Sequence, residues 1–568
     1  MLARHGIDHV FTLCGGHISP ILVGAKARGI RIVDVRDEAS AVFAADAVAR
    51  MTGIPGVAAV TAGPGVTNAL TALKNAQMAQ TPMLLFGGAT ATLLKGRGAL
   101  QDIDQMSLVR SACKEVFQVS TVPSLGPTVN KALEIAQEGV PGPVFVEVPV
   151  DVLYPESTVR EWYIAESGVE GAKGLGAKAL GMYLKGHLYK QFHLPHVDVS
   201  VPKVSLPRPG NVDTQIEQVA EMIRRAERPA LVIGNQTMVS CYDPESLARA
   251  VERLGMPSWL GGSARGLLGR QSDVQFRHKR GASLKRADLV IVCGFPFDFR
   301  LKYGRGFGKA KLVSVNLSSE ELRKNRRPDV AIEMHPADFL RALADATGPT
   351  VGKWDPWFEE IRERESARDE DIRSKARSDT ELVDPIQLFL QLEEKLADDS
   401  VLVADGGDFV ATAAYILRPR RPLSWLDPGV FGTLGVGGGF AVGAACVRKD
   451  AEVWIIWGDG SCAYSIAEFD TCARHGLAPI AVVGTDASWA QIARDQVEIL
   501  GDDVATTLVR TPYHTVAEGY GGRGLLLDDP AKIDEVLDEA KSLSKAGHPV
   551  LINVLLADSD FRKGSISI

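Results

Sequence analysis

Apolar residues along this chain gather into short continuous runs. In the first part they occupy 30–35, 57–61, 82–86 and 143–148, with a helical pattern such as 39–51 between them. Continuous runs of that length predict strands buried on both faces, and strands alternating with helices predict a parallel sheet covered by helices on each side. The pattern changes at 157–211, where no strand alternation appears and prolines crowd the end. A linker is expected there, with one short amphipathic helix at 182–192 docked on a neighbouring domain rather than on a membrane. Runs at 229–233, 288–293 and 311–315 predict a second α/β domain that fades near 348. A charged helix at 357–378 then bridges to a third set of runs at 401–404, 453–457, 480–484 and 549–555. The expected architecture is therefore α/β, with three doubly wound parallel-sheet domains at 1–156, 212–348 and 381–568, joined by 157–211 and 349–380.

Composition removes several classes. The 568 residues are too many for one core. With 45% hydrophobic and 23% charged residues the chain has a globular balance, not a disordered one. A net charge of −7 and no basic run leave nothing to grip a nucleic-acid backbone. The seven cysteines form no CxxC pair, so neither a zinc site nor a disulfide framework is expected, and a reducing, cytosolic setting is. The apolar run at 10–13 is far too short for a signal segment or a membrane span. The ending Ser565-Ile566-Ser567-Ile568 matches no peroxisomal or retention signal.

The most informative segment is Gly458-Asp459-Gly460-Ser461, directly after the apolar run 453–457. A helical pattern follows at 463–474, then a second run ending in Thr485-Asp486-Ala487-Ser488-Trp489. Successive strands of a parallel sheet end on one edge, so Asp459 and Asp486 are expected to face one another where ligands bind. Two carboxylates and a main-chain carbonyl are hard oxygen donors suited to Mg²⁺, and the glycines allow a phosphate close to the backbone. Either acid alone is equally well explained as a helix cap or a turn residue. The pair on consecutive strand ends is what points to a metal. A rival reading takes Gly435-Val436-Gly437-Gly438-Gly439 as a dinucleotide loop with Asp459 as its ribose-binding acid. It is disfavoured, because 425–429 is a poor strand and Asp459 sits inside a Gly-Asp-Gly of its own.

These motifs resemble those of the thiamine-diphosphate-dependent enzymes. In that family the metal–diphosphate motif closes on Asn-Asn, where this chain has Thr485-Asp486. The resemblance implies that Asp459, Asp486 and the Ser488 carbonyl hold Mg²⁺, and that Gly458, Gly460, Ser461 and Trp489 line the diphosphate end. It also places the cofactor-activating acid at Glu38 within Arg36-Asp37-Glu38-Ala39-Ser40-Ala41, and the adjoining turn at Gly63, Pro64 and Asn68. Gly432-Thr433-Leu434 falls on the segment that bends the cofactor, with Leu434 as its bulky side chain. Finer features are similar to the acetolactate-synthase-like branch of the 2-hydroxyacyl-CoA lyases: 11–20, 75–80, 264–269 and 560–565. Membrane-bound members of that branch carry an N-terminal anchor, which is not expected here, nor is the first turn of the opening helix.

The activity implied is cleavage of a 2-hydroxyacyl-CoA to formyl-CoA and an aldehyde, reversible as a condensation, with the cofactor as electron sink. His17 and Gln101 are the candidates near the 2-hydroxyl. The family's oxalyl-CoA decarboxylases carry Tyr-Glu where Leu100-Gln101 stand, which argues against oxalyl-CoA. Arg265, Arg270, Lys302 and Arg305 are candidates for the CoA phosphates, although each is also ordinary charged surface. The expected partners are an acyl-CoA substrate and a second copy of the chain, as homodimer or homotetramer. Two alternatives stay open: an acetolactate synthase or related 2-oxoacid decarboxylase, and a non-catalytic assembly partner. The second has no need of Glu38, Asp459 and Asp486 together.

Overall fold

The computed structural model describes residues 1–168, 174–201, 210–350 and 352–563. The chain divides into two compact units, 1–204 without 50–53, and 50–53 with 205–568. The first unit holds one six-stranded sheet: β1 (His9–Thr12), β2 (Arg31–Asp34), β3 (Gly56–Val60), β4 (Met83–Ala89), β5 (Glu115–Gln118) and β6 (Pro143–Pro149). The second unit holds two. One comprises β7 (Pro229–Ile233), β8 (Ser258–Leu260), β9 (Gln275–Phe276), β10 (Leu289–Cys293), β11 (Lys311–Asn316) and β12 (Val330–Glu333). The other comprises β13 (Val401–Asp405), β14 (Trp425–Leu426), β15 (Val453–Gly458), β16 (Ile480–Thr485), β17 (Arg523–Leu527) and β18 (Val550–Leu555). Every pairing between these strands is parallel.

The strand orders explain where a ligand belongs. The first sheet runs β2-β1-β3-β4-β6-β5 and the third β14-β13-β15-β16-β18-β17, one order used twice. The middle sheet, β12-β11-β10-β7-β8-β9, winds outward in both directions from its first strand, the order of dinucleotide-binding folds. In a doubly wound sheet the crevice opens beyond the strand ends at the point where the winding reverses. That point lies between β1 and β3 in the first sheet, and between β13 and β15 in the third. Helices on both faces leave the central strands dry: β3, β4, β6, β7, β10, β13 and β16 are buried along their whole length. Each buried Val, Leu or Ile there contributes about 1.5–3 kcal/mol relative to an exposed one.

Two expectations are corrected. The stretch at 157–201 is not an extended linker around one short helix. Two helices, Glu156–Ser167 and Leu175–Phe192, pack together on the first unit through Ala91, Val159, Tyr163, Leu184 and Leu188. The longer helix is apolar on two opposite faces, so its one-sided periodicity was visible only at its C-terminal end. The prolines at 202 and 207 and the tail residues 564–568 lie outside the described residues. The single helix expected at 463–474 is two, Asp459–Ser465 and Glu468–His475, the first starting on the candidate metal ligand itself.

Candidate functional site

In the first unit the β1 and β3 ends meet at the crossover. A Cβ on Gly15 would lie 2.4 Å from Cβ of Thr61, so the two loops touch only because residue 15 is glycine. His17 Nδ1 lies 3.3 Å from Thr61 Oγ1. Burial holds its imidazole below the usual histidine range, which leaves it neutral near pH 7. Glu38 opens the helix Glu38–Thr52 after β2 and is buried, 7% exposed. Its Oε2 accepts a hydrogen bond from Asn68 Nδ2 at 3.2 Å, on the helix Pro64–Met78. Gly65 lies against both groups: a Cβ there would come to 2.9 Å from Thr61 and 3.5 Å from Glu38 Oε1. Glu38, Asn68, Thr61 and His17 thus share one edge.

Gly63, with φ +63°, turns the chain into the Pro64–Met78 helix and abuts Gln101, itself left-handed at φ +62°. The residue holding this turn is Gln105, which sequence reasoning passed over. Its Oε1 accepts from Gly63 N at 3.1 Å, while its Nε2 donates to Gly88 O at 2.7 Å and to Glu147 Oε2 at 2.9 Å. Glu147 is buried and also receives Gln118 Nε2 (2.7 Å) and Lys95 Nζ (2.5 Å). Gln105→Leu is expected to cost about 2 kcal/mol, because it leaves a buried amide and carbonyl unpaired. Thermal unfolding measures this, and an unchanged midpoint would show that water replaces the side chain.

In the second unit Asp459 and Asp486 follow neighbouring strands, with Gly458 directly opposite Gly484 in the ladder. Asp459 Oδ1 accepts from Gly460 N and Oδ2 from Ala487 N, both at 2.8 Å. Asp486 Oδ1 accepts from Ser488 N at 3.0 Å. Burial pushes the Asp459 carboxyl up to about 6. Burial, and then the nearby Asp459 charge, push Asp486 up to about 7. Arg510 offsets both only in part. Two carboxylates crowded in this way call for a cation. The indole of Trp489 lies across Gly460, where a Cβ would come within 2.5 Å of the ring.

Asp405 at the end of β13 ties the remaining pieces together, and it too went unread in the sequence. It accepts from Gly435 N (3.0 Å), Gly437 N (2.8 Å) and Trp457 Nε1 (3.0 Å), while Ser461 Oγ donates to its main-chain oxygen at 2.6 Å. Burial pushes its carboxyl up to about 6, against the pull of these donors. Leu434 closes over Gly406, where a Cβ would lie 2.0 Å from Leu434 Cδ2. The Gly432–Leu434 segment, with Thr433 Oγ1 donating to Leu434 O at 3.2 Å, is therefore anchored to the Gly458–Ser461 turn. Asp405→Ala should cost at least about 3 kcal/mol, since three buried donors lose their acceptor. Urea unfolding tests it, and a loss under about 1 kcal/mol would mean the loop is held by something else.

The residues fit a magnesium-bound diphosphate by donor chemistry: two carboxylates, the Ser488 carbonyl, and glycine backbone open to phosphate oxygens. Among the described residues no three His, Cys, Asp or Glu side chains converge as a ready-made metal centre. A cation here would complete its shell with oxygens of the diphosphate. Of the four cations expected to share the CoA phosphates, two are engaged within the protein and two are exposed. Arg265 lines a cavity of about 520 Å³, but its guanidinium donates to Ala414 O (3.0 Å) and stacks 4.7 Å from the Trp425 ring. Arg270 is engaged by Glu393 and Glu394, whereas Lys302 and Arg305 are exposed near the loop that follows Asp298.

Three family profiles match the chain: thiamine pyrophosphate enzyme N-terminal TPP binding domain over 1–108, central domain over 216–343, and C-terminal TPP binding domain over 405–554. A 2-hydroxyacyl-CoA lyase 2 of Danio rerio is 48% identical over 578 aligned positions, covering 100% of this chain and 92% of the relative. The Homo sapiens protein of the same name is 46% identical, covering 100% and 90%. A probable acetolactate synthase of Mycobacterium bovis is 30% identical, covering 98% and 94%.

Proposed function

We propose that this chain, which belongs to the thiamine pyrophosphate enzyme family, is a 2-hydroxyacyl-CoA lyase that splits its substrate into formyl-CoA and an aldehyde. The observation that carries the reading is 48% identity across the whole chain to a protein of that name, whereas the acetolactate-synthase relative stands at 30%. When bound, thiamine diphosphate supplies the electron sink for breaking the C1–C2 bond. Everything else falls to side chains. Glu38, aligned by Asn68, exchanges a proton with the cofactor's pyrimidine ring. Asp459, Asp486 and the Ser488 carbonyl would hold Mg²⁺, and Gly458, Gly460 and Ser461 would line the diphosphate. Leu434, fixed through Asp405, would give the cofactor its bend.

The cleavage is balanced without an outside reactant. The 2-hydroxyl loses its proton as the aldehyde forms, and the formyl carbon gains one. One neutral base near the hydroxyl suffices, and His17 has that state, with Nδ1 engaged by Thr61 and Nε2 left for the substrate. Gln101 serves in this reading as hydrogen-bond partner of the hydroxyl or thioester oxygen. The working unit is a homodimer or larger, and the cytosol is its setting, supported by seven cysteines that are all free thiols. No helix of the described residues is long and apolar enough to cross a membrane.

Mass spectrometry of products from a panel of 2-hydroxyacyl-CoA thioesters and from pyruvate tests the activity. Formyl-CoA with an aldehyde is expected, and acetolactate from pyruvate alone would overturn the reading in favour of a synthase. Asp486→Asn is expected to keep cofactor binding within about tenfold, because an amide oxygen is still a hard donor. A loss as large as that of Asp459→Ala would mean that the charge of Asp486 is essential.

A further inference from the structure

The Leu175–Phe192 helix uses one face to join the first unit and leaves a second apolar face bare. Its inner side is firmly seated. Leu184 and Leu188 are buried with Val159 and Tyr163. His187 Nε2 lies 3.1 Å from Thr92 Oγ1, and Thr92 in turn donates to Asp151 Oδ2 through its hydroxyl (2.6 Å) and its N–H (3.0 Å). Tyr163 donates to the same Asp151 oxygen. This buried clamp fixes which residues point outward.

Those residues form a strip. Leu175, Met182 and Tyr189 recur every seven positions, so at 3.6 residues per turn they fall within about 40° of one another. They are 88%, 71% and 65% exposed. Ala179 and Gly186, also exposed, fill the steps between them, while Tyr183 (58% exposed) stands about 100° further round, stacked on His187. Lys178 and Lys185 border one edge and Lys190 the other, all exposed, and the helix contains no Asp or Glu. On the neighbouring helix Glu156 is taken by Arg160 (2.7 Å) and His193 (3.0 Å), while Glu161 and Glu166 are exposed. A row of about 21 Å, with aromatic and aliphatic side chains between lysines, departs from the scattered apolar surface of a monomer.

We propose that this face docks on the surface of an anionic lipid bilayer, with Leu175, Met182 and Tyr189 entering the acyl boundary and the three lysines meeting headgroup phosphates. Charge decides the occupant. Lysines with long methylene stems flank an apolar strip in the manner of interfacial helices, where the ammonium groups reach back to the headgroups. A second copy of the same face would set lysine against lysine across a two-fold axis, with no acid on the helix itself to pair them. The proposal does not depend on the reaction catalysed.

Co-sedimentation of the purified full-length chain with vesicles tests it. Binding is expected to vesicles of phosphatidylcholine mixed with phosphatidylserine, to fall steeply with added salt, and to be weak on phosphatidylcholine alone. Met182→Glu and the pair Lys178→Glu with Lys185→Glu should each weaken binding by at least about tenfold. Because all three positions are exposed, thermal midpoint and turnover of a water-soluble substrate should stay unchanged. A wild-type chain that ignores the anionic vesicles overturns the proposal, as do variants that bind as well as wild type. So does a drop in molar mass for Met182→Glu in light scattering, which would make the strip a subunit contact.

Discussion

Glu38→Gln should cut turnover by about a hundred- to ten-thousandfold while the protein stays folded and still takes up thiamine diphosphate. The carboxyl sits at the start of a helix, 7% exposed, with Asn68 Nδ2 donating to one oxygen at 3.2 Å. That leaves Oε1 as the oxygen for the cofactor, beside Gly65, where a Cβ would stand only 3.5 Å away. Glutamine keeps the volume and keeps an acceptor for Asn68, but it cannot exchange a proton. Stability should therefore change by less than about 1 kcal/mol. The specific readout is hydrogen–deuterium exchange at C2 of the bound cofactor, followed by NMR, which should slow in parallel with turnover. Asn68→Ala should slow it less, since it removes an aligning bond and not the acid. Normal exchange and normal turnover in Glu38→Gln would sink the assignment.

The parts of the fold that were legible from sequence were the strands buried on both faces. Runs at 57–61, 82–86, 229–233, 453–457 and 480–484 became β3, β4, β7, β15 and β16, because a strand covered by helices on two sides has no polar alternation to blur it. Most of the strands left unread were sheet edges: β5, β9, β12, β14 and β17. One flank of such a strand is half wet, and β17 carries the exposed Arg523 and Leu526 within its five residues. Short length removed the rest of the signal, since β9 and β14 are two residues each. The interior strand β1 was read only as a strand end before Gly15-Gly16, without bounds, since it is four residues long.

At the site, residues announced by glycine were readable and those announced by nothing local were not. Gly458-Asp459-Gly460 announces an acid at a strand end in three letters. Asp405 has the same grammar, an acid closing a buried strand before two glycines, and could have been found by it. The repeated strand order makes that echo physical: β13 and β15 flank the reversal point of the third sheet as β1 and β3 flank that of the first. Gln105 had no such signal. Its importance comes from three partners at 63, 88 and 147, a convergence that only the folded sheet creates. The cations expected at the CoA phosphates had only a weak local signal. Arginines are common, and Arg265 and Arg270 turn out to be engaged by Ala414, Trp425, Glu393 and Glu394.

Asp459→Ala should abolish cofactor binding rather than slow the reaction on a bound cofactor. Losing an outer partner of a metal ligand typically costs about 10–100-fold in affinity, so losing a ligand should cost more. Titration with thiamine diphosphate in the presence of Mg²⁺ measures it, and full-strength binding would put the metal elsewhere. The same variant tests how the site is assembled. Glu38 stands in the first unit and Asp459 in the second, and the proposed reaction asks one cofactor to use both. If each cofactor takes Glu38 from one chain and Asp459 from another, Glu38→Gln chains and Asp459→Ala chains are each inactive, but a mixed dimer carries one site with both acids intact. Random exchange makes half the dimers mixed, with one good site in two, so activity should return to about a quarter of wild type. Mass spectrometry must first establish that the chains have exchanged. Exchanged dimers that remain inactive would mean that both acids of a site come from a single chain, as would a fully active monomer in light scattering.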